Sequence, residues 1–252
     1  MNWLQPRSLS VLSLSILFEM PLALYLSAQA QLVPLEAISI APFQISLDFR
    51  VPDRSAPSST VGGATRGGCS EGSKSLVALS PKNYLGLTTA KRPSFFFFAP
   101  GGAAKQAEFL LLSDDDTVVV YEQKVINLPN TAGIVRYDLP ETAPTLAADK
   151  RYHWYITLSC TGSGVNGNPS AEGWVERTEL PALTKTAETA DLKNLPELYA
   201  KSGIWYETVA ALVQLRQKFP NNPKVMADWQ DLLKSAGLEA VMQEPIANQE
   251  NF

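Results

Sequence analysis

The sequence is poor in the residues that carry most enzyme chemistry. Among 252 residues there is one histidine, His153, and there are two cysteines, Cys69 and Cys160. Zinc sites draw on several His or Cys ligands, and a hydrolytic histidine works with a nucleophile and an orienting acid. No such set is recognised around His153, so no catalytic residue, metal or cofactor is expected. An excess of positive charge is lacking too: 21 Lys and Arg against 25 Asp and Glu leave a net charge of −4. Without a basic excess to neutralise a phosphate backbone, no nucleic-acid partner is expected. Charged residues make up 18% of the chain and apolar residues 45%, a globular balance that can build a sizeable core. Beyond residue 30 no apolar run is long enough for a membrane span, which takes about 20 residues as a helix.

What is present at the start reads as a secretory signal. Arg7 supplies the positive charge and Val11–Leu26 the apolar stretch, interrupted by Glu19 and Pro21. Ala28-Gln29-Ala30 places small residues where cleavage needs them. A carboxylate at mid-span costs about 2.5 kcal/mol or more in a bilayer, so Glu19 argues against an uncleaved anchor. The expectation is a signal peptide over 1–30 and a mature chain without a membrane span, in the periplasm or outside the cell. Two cysteines in an exported chain tend to pair, and a Cys69–Cys160 disulfide is expected.

Three zones follow. Residues 31–68 combine a strand at Phe43–Phe49 with a loop rich in Pro, Ser and Gly from Val51 to Gly68. Residues 69–182 carry strand patterns at Leu76–Leu79, Ser94–Ala99, Ala107–Leu112, Val118–Val125, Ile134–Leu139, Tyr152–Cys160 and Gly173–Thr178, separated by turn residues. Seven short strands without helical periods between them predict an immunoglobulin-like β-sandwich. From residue 183 to 242 the apolar period changes to that of helices, predicting a short helical hairpin bundle. Pro196–Ser202 closes on Gly203, a second helix runs into Pro220, and Asn222-Pro223 starts a third that ends at Gly237. Residues 243–252 are expected to be a disordered C-terminus.

Several strings admit a chemical reading beside a plain one. Asp114-Asp115-Asp116 offers oxygen ligands for calcium or, with no second acidic cluster to complete them, a solvated hairpin tip. Gly62–Gly68 with Arg66 suggests an anion-binding loop or a flexible approach to Cys69; it lacks the Gly-Lys-Ser/Thr end of a phosphate loop. Glu172 and Glu176 flank Trp174 on one strand face, as glycosidase carboxylates flank an aromatic and as any solvated face looks beside a core Trp. Phe95–Phe98 reads as a strand buried on both faces. In the helices, Tyr199, Gly203, Trp205, Leu212 and Pro220 fall at the spacing of one tetratricopeptide repeat, and a lone repeat cannot bury its own face. Trp205, Tyr206 and Trp229 are therefore candidate contact residues, of types enriched at binding hot spots, or else they fix the helices to the sheet.

The strings Asp53-Arg54 with Pro57, Gly62–Cys69, Tyr152-His153-Trp154-Tyr155, Gly173-Trp174-Val175-Glu176-Arg177, Gly203-Ile204-Trp205-Tyr206 and Trp229 with Leu232-Leu233 resemble a cyanobacterial family of exported proteins, the domain of unknown function numbered 928. The resemblance implies a cyanobacterial source, export, and one module spanning strands and helices, and it names no catalytic residue. The functional expectation is an exported, non-catalytic binding or scaffolding module that engages a protein or an envelope polymer. The alternative is a carbohydrate- or peptidoglycan-active protein working through Trp174 with Glu172 and Glu176.

Overall fold

A computed structural model describes residues 46–57, 74–102, 104–160 and 168–247. The chain is mainly β, with helices at its C-terminal end. The strands are β1 (Val77–Ala78), β2 (Gly86–Thr88), β3 (Ser94–Ala99), β4 (Ala104–Ser113), β5 (Val119–Asn127), β6 (Gly133–Asp138), β7 (Lys150–Cys160) and β8 (Ser170–Arg177). The helices are α1 (Pro181–Thr189), α2 (Leu195–Lys201), α3 (Trp205–Lys218) and α4 (Pro223–Ser235).

The strands form a three-stranded sheet in the order β1-β3-β6 and a five-stranded sheet in the order β2-β8-β7-β4-β5. Every ladder is antiparallel except β2 with β8. Successive strand residues face opposite ways, and on β7 this sends Trp154, Ile156 and Leu158 inward and His153, Tyr155 and Thr157 outward. Phe95 of the small sheet meets Phe109 and Trp154 of the large one at ring centroids of 4.9 and 5.1 Å. All four of Phe95–Phe98 are buried, so both faces of β3 are covered.

The helices share this core. Trp205 and Tyr206 open α3 and are fully buried. The Trp205 indole donates to Leu79 O at 3.0 Å, and the Tyr206 hydroxyl donates to Trp174 O at 2.9 Å while accepting from Trp154 Nε1 at 2.8 Å. Asn222 caps α4 by accepting from Lys224 N and Val225 N, the local chemistry read from the sequence. Gly203, at φ +70°, has no room for a Cβ, which would sit 2.8 Å from Arg50 O.

Four differences from expectation have local causes. The three-residue β2 is too short to show a period. Helix α1 was missed because it buries none of its residues and so has no apolar stripe. Residues 46–49 alternate, with Leu47 and Phe49 inward, yet form no ladder; instead Arg50 N bonds to Ala200 O of α2. Residues 43–45 of that expected strand lie outside the described residues. Last, residues 243–247 are not a disordered tail: Ile134 N donates to Pro245 O, Ala247 N donates to Ile134 O, and Ala247 is buried.

Candidate functional site

The outer face of the large sheet gathers the polar residues singled out from the sequence. The β7–β8 register sets His153 opposite Trp174, Tyr155 opposite Glu172 and Arg151 opposite Glu176. The hairpin between β4 and β5 brings its three aspartates to this face with separate tasks. Asp114 pairs with Arg151 at 2.7 Å. Asp115 accepts from the Ser113 hydroxyl and from Thr117, which hold its carboxyl down at about 2. Asp116, in the left-handed region at φ 58°, reaches His153 Nδ1 at 2.9 Å. All three stay exposed, as a solvated hairpin tip should, and two of them also pair with β7.

His153 sits at the centre of this group. Its ring stacks on Trp174 at 4.0 Å with 12° between planes, and the Tyr155 hydroxyl lies 2.9 Å from Nδ1. Burial lowers its pKa against the opposing pull of Asp116, favouring neutral imidazole. Burial raises Glu172, with the Asp116 charge adding to it, and lifts Tyr155 to about 12. We assign the Nδ1 proton to the Asp116 bond. Nε2 then points its lone pair toward Glu172 Oε2, 3.7 Å away, and makes no hydrogen bond. A general base needs its nitrogen within reach of a substrate proton. Here the imidazole is only 4% exposed, and the group works as a lock between hairpin and sheet.

The sequence-derived site divides on inspection. Glu172, Trp174 and Glu176 share one face, as a period of two requires, but they form no open cleft. Trp174 is buried among Leu85, Leu87 and Ile204, with one ring face under His153. Glu176 is buried and pairs with Arg54, while Glu172 faces His153. Trp205, Tyr206 and Trp229 are core residues, none more than 2% exposed. The Trp229 indole donates to Met242 O, with the Arg216 guanidinium over its ring. Trp205 and Tyr206 tie α3 to the strands, and Trp229 ties α4 to the chain that follows it. Cys160 ends β7 half-buried, while Arg66 and Cys69 lie outside the described residues. So does Gly68-Cys69-Ser70-Glu71-Gly72, a Gly-x-Ser-x-Gly string with the residue types of a serine nucleophile elbow, contrary to the expectation that the chain has none. Among the described residues, no three His, Cys, Asp or Glu side chains converge to hold a metal, and no helix is long and apolar enough to cross a membrane.

One surface feature was not anticipated. Among the described residues β5 pairs only with β4, leaving its other edge open. No residue of β5 is buried, and Val118, Val119 and Val125 are 57, 60 and 51% exposed. Register shifts against β4 interrupt the ladder at two places.

Residues 61–246, well over half of the chain, match the family described as Domain of Unknown Function (DUF928). The chain belongs to this family. The DUF928 match runs from before β1 through α4, so strands and helices fall within one family unit. No curated protein matches the chain. A solved structure of Astrotactin-2, described as a conserved vertebrate-specific and perforin-like membrane protein involved in neuronal development, is similar at 12% identity with a TM-score of 0.27. That similarity covers 66% of this chain and 36% of the other, so the DUF928 chain spans about a third of that structure. A likeness this small carries no argument.

Proposed function

We propose that this chain is an exported, non-catalytic docking module that holds an extended segment of a protein partner along β5. The observation that carries the reading is that edge: nine residues, none buried, bonded on one side and set with exposed valines. An open sheet edge takes up an extended chain through main-chain hydrogen bonds, and alternate side chains give selectivity. Bulges and charges such as Lys124 discourage indiscriminate pairing, which suits an edge reserved for one partner. The Asp116–His153 contact holds the hairpin next to β5 in place.

Export belongs to the same proposal. Arg7, the apolar run to Leu26 and Ala28-Gln29-Ala30 support a signal cleaved before Gln31, in a cyanobacterial protein with a Cys69–Cys160 disulfide. Two sheets with a shared core support an immunoglobulin-like sandwich. The Gly203–Trp205–Pro220 spacing supports a tetratricopeptide-like helical hairpin beside it.

The test compares the parent with a Val119→Lys/Val125→Lys variant in capture from the periplasmic and external fractions, followed by mass spectrometry. Loss of specific partners at an unchanged Tm is expected. Equal recovery by both proteins would overturn the β5 assignment. N-terminal sequencing of the mature protein should begin at Gln31.

A further inference from the structure

A second surface, independent of β5, lies where β8 runs into α1. A cavity of about 470 Å³ opens there, lined by Thr89, Lys91, Arg177, Glu179, Thr184 and Lys185 among others. Arg177 is 8% exposed, and its guanidinium is only partly used. Nη1 reaches Leu146 O at a long 3.4 Å, Nη2 donates to Glu179 Oε1 at 2.7 Å, and Nε has no partner. A buried guanidinium nitrogen without an acceptor is costly, and Arg edges are built to take two parallel oxygens. Glu179 offers Arg177 a single oxygen, from a side chain that is 59% exposed and free to swing into solvent.

The start of α1 faces the same cavity. Leu180, at the N-cap, supplies no side-chain cap, and the first turn of this nine-residue helix has no acidic residue. Leu180, Pro181 and Thr184 all line the cavity. Uncapped N–H groups and the positive end of the helix favour an anion. Lys91 and Lys185 add two cations, and Glu179 and Glu188 oppose them, leaving the lining positive by one charge with Arg177 counted.

We infer that this cavity binds an oxyanion, a phosphate or carboxylate group on a compact polar molecule, seated on the Arg177 Nε–Nη2 edge at the start of α1, with Glu179 as the internal place-holder that it displaces. The place-holder gives the proposal a distinctive sign. Removing an acidic residue that merely stabilises Arg177 would weaken the site, whereas removing a competitor strengthens it.

The experiment titrates the full mature protein with inorganic phosphate and, separately, with acetate, against chloride at equal ionic strength, following amide chemical shifts of α1. Saturable shifts are expected with at least one oxyanion and not with chloride, and the stronger of the two identifies the group. Glu179→Gln is expected to tighten binding about tenfold, and Lys91→Gln/Lys185→Gln to loosen it about tenfold, as for loss or gain of a close charge. These three side chains are at the surface, so the variants stay folded, which thermal melts check. Shifts that match those with chloride, weaker binding by Glu179→Gln, or unchanged binding by the double Lys variant would each overturn the assignment. None of these outcomes depends on β5.

Discussion

Replacing Tyr206 by Phe tests the central joint of the fold, because it removes one oxygen and no volume. The hydroxyl receives the Trp154 indole proton at 2.8 Å and donates to the Trp174 carbonyl at 2.9 Å, inside a site that water does not reach. The ring stays in place against Phe95, so no cavity cost enters. The change strands one indole N–H and one carbonyl; a buried orphan costs about 1–3 kcal/mol, with the carbonyl toward the lower end. The sum is about 2–4 kcal/mol, or roughly 4–16 °C in Tm at about 2–4 °C per kcal/mol for a domain of this size. Urea unfolding followed by tryptophan fluorescence should show a lower midpoint at an unchanged slope. In a cycle with Trp154→Phe, the loss of the hydroxyl should cost less once the indole donor is gone, with a coupling of about 1–2 kcal/mol. A single-mutant loss below about 0.5 kcal/mol, or a coupling near zero, would refute the claim that this hydroxyl joins α3 to β7 and β8.

Three further outcomes follow from the same contacts. Glu207 Oε1 accepts from Thr88 Oγ1, Thr89 N, Thr89 Oγ1 and Ala90 N at 2.8–3.1 Å, so Glu207→Ala should destabilise by about 2–4 kcal/mol, while Glu207→Gln, which keeps an acceptor oxygen, should lose less in the same urea assay. His153 is lowered from 6.5 by burial, so its contribution to stability is complete above pH 6.5 and is lost as pH falls through the lower folded value. The raised Glu172 runs the other way, its contribution being lost as pH rises through its elevated value. The stability of the parent minus that of His153→Gln should thus decline between pH 7 and pH 5, and a flat difference across melts in that window would show that His153 does not titrate with folding. Thiol counting on unfolded, unreduced protein should find no free thiol if Cys69 and Cys160 are bridged.

What could be read in advance was what depends on a few neighbouring residues. Four consecutive phenylalanines placed β3 at Ser94–Ala99, and Asn222-Pro223 placed the start of α4, because burial period and capping are local properties. The shared face of Glu172, Trp174 and Glu176 was legible for the same reason. What covers that face was not, since Arg54, Leu85 and Ile204 arrive from distant parts of the chain. Of the two readings of the helix aromatics, their burial fits the one in which they fix the helices to the sheet. A stripe shows that a helix buries one side, but not on how many sides its neighbours enclose it, as they do α3. The Asp116–His153 contact also had no signature, because a hairpin that folds back on its own sheet looks like any exposed turn.

The closure of β6 by Pro245–Ala247 has a consequence for how the molecule comes into being. The small sheet waits for Pro245–Ala247, which lie far along the chain from β6, and residues 46–50 wait for α2. Both joints link stretches far apart in sequence, and such joints form slowly because the intervening chain must first be brought to order. A chain truncated before residue 245 would carry β6 with that edge bare, a state prone to join its neighbours.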